Sequence, residues 1–451
     1  MNDAPRRSDP PPSPEGGALR ALRSRNFALL WFGNLLSNTG TWMQNVAEPW
    51  LVLRLSGSPF LVGLDSFMTD APVWVLTLAG GVLADRADRR RTALFFQGIQ
   101  VLCPVIIVAL LVTGRIRVWM IIALSLVVGV TDALSGPSTN ALVPSSVREE
   151  DVPSAVALNS AQFNLSRVLG PFFAGSVMAT LGPIVCFALN ASSYAPYLLA
   201  IYLLRLPSTA PPPRRIEGSR RARARASLIE ALRAIARKRR LRRAFLTVTI
   251  TSLLGMPMIT FMPVLVRDAF HLGSAEFGGT LSVFGFGGLL GATLVLPLKT
   301  NRHRQILSNL AALGLGALVL AMALDRIFGV LLALVFGAGA AMVASNTAAN
   351  AILQSSIDGR IRGRVSSMYT LALRGGAPLG NLLTGIVATH WGVRTALLIN
   401  GSLAVTCHAA LIRRARARRR ALSGKEAAPP QGSRSRVAPT NDPGDASSST
   451  R

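Results

Sequence analysis

About a dozen apolar runs of 18–29 residues, separated by connectors rich in arginine, constrain this chain more than any other feature. One helical crossing of a bilayer core takes roughly 20 apolar residues, so each run is long enough to span. The spacing predicts crossings at 27–53, 60–84, 92–114, 118–142, 153–181, 183–204, 244–266, 277–298, 305–324, 327–350, 365–389 and 395–412. Only six of the 69 charged side chains fall inside them: Glu48, Asp65, Asp70, Asp132, Arg167 and Arg374. The runs are rich in Leu, Ala, Val and Gly and lack the alternation of a membrane β-barrel. In lipid, backbone N–H and C=O groups must be satisfied within the segment, which leaves helix. The expected fold class is an all-α polytopic membrane protein with twelve transmembrane helices. A soluble enzyme, a disulfide-rich secreted domain and a disordered basic protein are excluded.

Charge gives the orientation. Lys+Arg total 48 against 21 Asp+Glu, a net +27. With the N-terminus cytoplasmic, 40 of the 48 basic residues lie in cytoplasmic segments and 6 in the opposite loops. This bias places both termini inside. The basic residues flank the spans and include no nucleic-acid-binding module, so the partners expected are the bilayer and small solutes, not DNA or RNA. The first apolar run is too long for a signal-peptide core and predicts an uncleaved first helix. Cys103, Cys186 and Cys407 all lie in spans, which argues against a disulfide framework or a metal site. No Walker-type loop, catalytic triad or metal constellation stands out, so neither an enzyme nor a resident cofactor is expected.

Six spans, a long loop and six more spans suggest a duplication. Residues 26–204 and 244–412 form the two expected bundles, with 1–25 and 413–451 as disordered cytoplasmic tails. The loop 205–243 opens at Pro211–Pro213 and turns arginine-rich. Leu228, Leu232 and Ile235 recur at helical spacing there, predicting an amphipathic helix on the anionic leaflet. Arg167 and Pro171 in the fifth span repeat as Arg374 and Pro378 in the eleventh, both 207 residues on. Asp85-Arg86 after the second span repeats as Asn301-Arg302, 216 residues on, after the eighth. Parallel repeats of this kind place a substrate site between the halves.

The inner end of the second span reads Gly81-Val-Leu-Ala-Asp85-Arg86-Ala-Asp88-Arg89-Arg90-Arg91. It resembles the signature of the major facilitator superfamily, with Asp88 where that pattern usually has Gly. Gly81 allows close helix approach, Asp85 suits a helix N-terminus of the other half, and Arg86, Arg89 and Arg90 suit acids at neighbouring helix ends. Such a cluster holds the halves together on the cytoplasmic side in one state and releases them in the other. Ser37-Asn-Thr-Gly-Thr-Trp-Met-Gln44, Leu55-Ser-Gly-Ser-Pro59, Ala155-Val-Ala-Leu-Asn159, Gly170-Pro171 and Arg362-Gly-Arg364 resemble the transmembrane secretion effector branch of bacterial exporters, to which the enterobactin exporter belongs. The likeness covers roughly residues 20–412. Gly170, Pro171 and Gly175 also resemble the end of the antiporter motif of proton-linked exporters, where the Gly-Pro step bends the helix. Ser166 and Ala174 stand where that motif has glycines, and the family's arginine in the middle of span 4 is absent.

The resemblance implies two pseudo-symmetric six-helix bundles in a bacterial inner membrane, working as a monomer. It implies a secondary active transporter, driven by the proton gradient, that exports a small organic compound such as a drug, siderophore or secondary metabolite. Uptake of a nutrient and movement of a lipid or lysophospholipid are the alternatives.

A charge in the bilayer costs about 2.5–3.5 kcal/mol on insertion scales and persists where it faces a cavity or a partner. Asp70, and after it Glu48, are the expected proton-coupling acids, with Asp132 a third candidate or a partner for the gate arginines. Arg167 is expected as counter-charge to Asp70 or as a contact for an anionic substrate; alternatively Arg167 and Arg374 both bond backbone carbonyls of adjacent helices. Asn38, Trp42, Gln44 and Asn45 are placed to line a substrate cavity. Trp50 is placed in the headgroup belt.

Overall fold

The computed structural model describes residues 19–205, 230, 233, 235–355 and 359–426. The side chains of Asp85, Arg86, Arg362 and Arg364 lie outside the described residues, as do Leu228, Leu232 and the tail from 427 onward.

The apolar runs fold as helices: α1 (Arg25–Ser56), α2 (Pro59–Arg86), α3 (Arg89–Val112), α4 (Val118–Ser145), α5 (Val152–Thr180) and α6 (Pro183–Leu203) in the first half. In the second half α8 is Ser274–Val295, α9 Asn301–Leu324 and α10 Phe328–Ser355. Two elements depart from the expectation of plain helices. Over the seventh span the chain runs Arg239–Ile250, a π-turn Thr251–Gly255, short helices Pro257–Thr260 and Met262–Val264, and a second π-turn Leu265–Ala269; we call the whole α7. Pro257 and Pro263 have no N–H to give to the ladder, and π-turns absorb the mismatch. The last two spans form one helical stretch, Gly359–Glu426, broken at Gly392 with φ 81 and ψ 157. Only glycine takes that left-handed turn without a Cβ penalty. We call the segments before and after it α11 and α12.

Residues 19–25, expected within a disordered tail, form a turn and the start of α1. The turn Arg20–Arg23 docks through buried Ala21 beside Phe27 and Ala155, and Arg20 pairs with Glu150 at 2.7 Å and Asp151 at 2.8 Å. Ile235, expected on a leaflet-bound helix face, is instead buried with Leu241, Ile352 and Met368, because protein covers it there. Residues up to Ala409 form one compact unit; from Ala410 the helix continues to Glu426 as the arginine-rich start of a second.

Eight helical stretches among the described residues are long and apolar enough to cross a membrane, the last of them, Leu371–Ala415, long enough for two crossings. The remaining three, α1, α2 and α5, carry Glu48, Asp65, Asp70 and Arg167.

Call the side where α1 begins the near face and the opposite side the far face. Toward the far face the two bundles share one apolar core. It joins Trp50, Leu53, Val62, Ala174 and Met178 to Met262, Leu265, Phe277, Leu281 and Val393. Toward the near face the cores are separate. Leu30, Ala93, Leu142 and Ile201 pack within the first bundle, and Leu241, Val248, Ile352 and Met368 within the second. Among the described residues the halves are therefore sealed at the far face and parted at the near face.

Candidate functional site

The far seam is made where side chains are absent. A Cβ on Gly278 would lie 2.6 Å from the Gly175 carbonyl oxygen, so α5 and α8 touch backbone to backbone. Beside this crossing Ser282 Oγ donates to Phe172 O at 3.2 Å, and the Phe172 and Phe286 rings meet edge-on at 5.2 Å. On the other flank Asn381 Nδ2 donates to Ser66 Oγ at 2.7 Å, and Thr389 Oγ1 accepts from Phe60 N at 2.9 Å, tying α11 to α2. Arg267 of α7 donates to Leu53 O at 2.8 Å. Trp50, expected among lipid headgroups, is 7% exposed and stacks on Phe277 with centroids 5.3 Å apart. Its apolar ring is worth more buried between the halves than at the interface.

At mid-depth the seam ends in charge. Arg374 of α11 donates to Asp132 of α4 at 3.1 Å, joining the two bundles. Both side chains remain more than 40% exposed, as expected at the floor of a cleft. Asp132, anticipated as a partner for the gate arginines, is thus held by the opposite half. Asp70 of α2 lies within electrostatic reach of both Arg374 and Asp132. Arg167 of α5 sits over the Trp42 ring at 5.7 Å and senses Tyr369 and Arg374. Tyr369 in turn donates to Asn346 O at 3.0 Å. The π-turn of α7 helps set this depth: Ser252 Oγ donates to Leu373 O at 2.5 Å, one residue from Arg374.

The remaining candidates separate. Gln44 points into the first bundle, donating to Glu48 Oε2 at 3.0 Å and accepting from Asn190 Nδ2 at 2.7 Å. Asn38 donates to Asn34 Oδ1 at 3.2 Å, on a different face from Gln44. By helix periodicity Asn38, Trp42 and Asn45, at i, i+4 and i+7, share one face of α1, while Gln44 turns into the first bundle. Glu48 is buried within the bundle, away from the cleft: Ser125 Oγ of α4 lies 2.6 Å from Glu48 Oε1 and 2.7 Å from Asp65 Oδ1. Asp65 is marked in the sequence only as one of six charges inside the spans, and Ser125 is not marked at all. Their shared depth was available as a signal, since Glu48, Asp65 and Ser125 all stand roughly 9–12 Å from the far ends of their helices.

In the antiporter-like stretch α5 runs on through Pro171, and the glycines serve packing: Gly170 fits against Thr39 and Trp42, Gly175 against Gly278. At the gate motif, Gly81 has nothing within 4 Å of where its Cβ would be. Asp88 caps α3, accepting from Arg91 N at 3.0 Å with φ −62, so this turn needs no glycine. Arg90 donates to Tyr202 O and lies 5.5 Å from the Tyr202 ring, a contact within its own half. Arg89 is exposed. On the repeated side Asn301 accepts from Ser355 Oγ at 2.9 Å, also within its own half.

Two helical bundles, sealed at one face, parted at the other and joined at mid-depth by charge, define a membrane transporter with the major facilitator fold. The chain belongs to the transmembrane secretion effector family of that superfamily, whose model matches residues 16–433. It is 25% identical over 382 residues to the multidrug efflux pump Tap of Mycolicibacterium fortuitum, covering 82% of this chain and 91% of that one. It is likewise 25% identical over 370 residues to the enterobactin exporter EntS of Shigella boydii, covering 80% and 84%. A bacterial homolog of the human lysosomal transporter Spinster, in an inward-facing and unoccupied conformation, superposes with a TM-score of 0.65 at 14% identity, covering 86% of this chain and 96% of that chain.

Proposed function

We propose that the protein is a proton-coupled exporter of a small organic compound, a drug, siderophore or secondary metabolite, working by alternating access. The observation that carries this reading is the Asp132–Arg374 ion pair, which bridges the bundles at the cleft floor with Asp70 beside it. Efflux is supported by the relatives named for drug and enterobactin export. The positive-inside distribution makes the near face cytoplasmic, with both termini inside a bacterial inner membrane. The conformation described is then the one that loads substrate from the cytoplasm.

In this reading Asp70 carries the proton. With the cleft open to the cytoplasm it releases the proton, and its carboxylate is held by the field of Arg374. The cytoplasmic side then closes around substrate, the far seam opens, and a proton taken from outside returns Asp70 to neutrality. Neutral Asp70 no longer competes with Asp132 for Arg374, which favours resealing the far side. Arg167, on its aromatic shelf, is left to meet an anionic group of the substrate.

The test compares a deletion strain with strains expressing the wild type or Asp70→Asn, across an antibiotic panel and in siderophore release, with and without a protonophore. Protonophore-sensitive resistance or release is expected from the wild type and none from Asp70→Asn at equal membrane abundance. Undiminished export by Asp70→Asn removes that acid from the mechanism. Absence of any difference between the deletion and wild-type strains removes the exporter reading.

A further inference from the structure

We propose that Glu48 and Asp65 share a single proton across Ser125, and that this proton holds the far seam shut. In a chain that spans the membrane, the geometry of the first bundle requires this whatever the role of Asp70 or the direction of transport.

Ser125 Oγ has one hydrogen and two lone pairs. Three oxygens surround it: Glu48 Oε1 at 2.6 Å, Asp65 Oδ1 at 2.7 Å and its own helix's Ile121 O at 3.0 Å. With both carboxyls ionised all three are acceptors, and one hydrogen cannot serve them. Separations of 2.6–2.7 Å are those of charge-assisted O–H···O⁻ bonds, so each short contact needs a proton between its oxygens. Ser125 supplies one, and a carboxyl must supply the other. Two ionised carboxylates this close in a low-dielectric interior would repel strongly.

Three further observations set this place apart from an acidic patch. Glu48 and Asp65 are 8% and 4% exposed, and neither has a salt-bridge partner among the described residues. Asp65 Oδ2 accepts no hydrogen bond among the described residues, so an oxygen of a buried carboxyl is open to a proton. A cavity of about 20 Å³ touches Glu48, Ser125, Gln44 and Tyr194. That is room for one water, a means of passing the proton on.

The other titratable groups facing the pair are Cys103 on α3 and Tyr194 on α6, both uncharged as thiol and phenol. α2 adds Asp70 and α4 adds Asp132, both deeper, beside Arg374. From the second half Arg267 approaches α1, but it bonds Leu53 O and Asp268.

The pair is wired to the seam on both sides. Two residues beyond Glu48, Trp50 stacks on Phe277, and Leu53 O receives Arg267. Next to Asp65, Ser66 accepts from Asn381, and a Cβ on Gly63 would lie 2.5 Å from Asn381 O. With the shared proton in place α1, α2 and α4 draw together, presenting Trp50 and Ser66 to the second half. Without it the two carboxylates part α1 from α2, and both seam contacts lose register. Protonation from outside therefore drives closure of the outside.

The test uses the full-length protein in lipid nanodiscs with its three cysteines replaced by serine. Spin labels go on Arg115→Cys and Arg326→Cys, exposed far-face positions in opposite halves. The wild-type background is expected to move from a short to a long inter-label distance as pH rises. Glu48→Gln and Asp65→Asn, each unable to ionise at its position, are expected to stay short at every pH. Infrared difference spectra give a second readout: a protonated-carboxyl band present in wild type, absent in Glu48→Gln/Asp65→Asn and retained in Asp70→Asn. A wild-type pH response in the double variant, or an unchanged band, overturns the proposal. A distance change that follows sodium at fixed pH overturns it in favour of a cation site. If Asp70→Asn abolishes export while these readouts hold, or these fail while export depends on Asp70, the two readings stand or fall separately.

Discussion

The far seam and the near cleft are built from the same twelve helices, yet they treat glycine in opposite ways. At the seam Gly175 and Gly278 stand where a methyl group would meet backbone. At the cleft Gly81, the glycine of the gate motif, has open space around it. Apolar packing between helices in lipid depends on close fit rather than on expulsion of water. The seam can therefore hold the halves only where side chains are small, and the cleft is the place where that fit has been given up. Within the gate stretch, Arg90 and Asp88 meanwhile bond within their own half.

The largest effect that would break this contrast is expected from Gly175→Leu. Overpacking costs about 1–3 kcal/mol, roughly a 5- to 150-fold shift away from the far-closed state. It is read as longer inter-label distances across the far face and loss of export at normal membrane abundance. A wild-type distance distribution would mean that the α5–α8 crossing does not hold the seam.

A smaller effect separates the two arginines that the repeat equates. Arg374→Gln removes the ion pair with Asp132, which is partly solvated and worth about 0.2–1 kcal/mol. The far-closed population should fall up to about fivefold in low salt and less in high salt, because mobile ions already screen the pair. Arg167→Gln removes the contact with the Trp42 ring and only through-space interactions with Tyr369 and Arg374 of the other half, so it should move the state populations, and their salt dependence, less than Arg374→Gln does. Equal behaviour of the two variants would show that the repeat preserved function as well as position.

The smallest effect is expected from Gly81→Ala. Thermal unfolding of the protein held in the conformation described should shift by no more than about 0.5 kcal/mol, while export falls if Gly81 packs when the near face closes. A clear loss of stability in this conformation would mean that the near face is not parted there.

Much of this was legible in the chain. Runs near the length of a bilayer crossing, the near-absence of charge within them and the 207-residue repeat of Arg and Pro gave the helices and their grouping in two. The two places where helix regularity fails, α7 and Gly392, were not foreseen. A hydropathy pattern counts apolar residues and is blind to whether Pro257 and Pro263 are absorbed by π-turns. Among the candidate residues, the sequence marked the intramembrane charges but not their partners. Asp132 was matched with arginines near it along the chain and found Arg374, 242 residues away, in space. Trp50 looked like an interfacial anchor because its neighbours are at a helix end; only Phe277 from the other half shows it is buried.

What the sequence determined alone was the solvent: a chain with this spacing of apolar runs must satisfy its backbone internally and can do so in lipid only as helices. What the tertiary structure decided was which buried polar groups meet. Helix periodicity fixes the depth and face of Glu48, Asp65 and Ser125, but bringing three helices within hydrogen-bond distance depends on their tilt and packing. Those are properties of the assembled bundle, set in part by close approaches such as Gly129 of α4 against Thr69 of α2, one turn from Ser125 and Asp65.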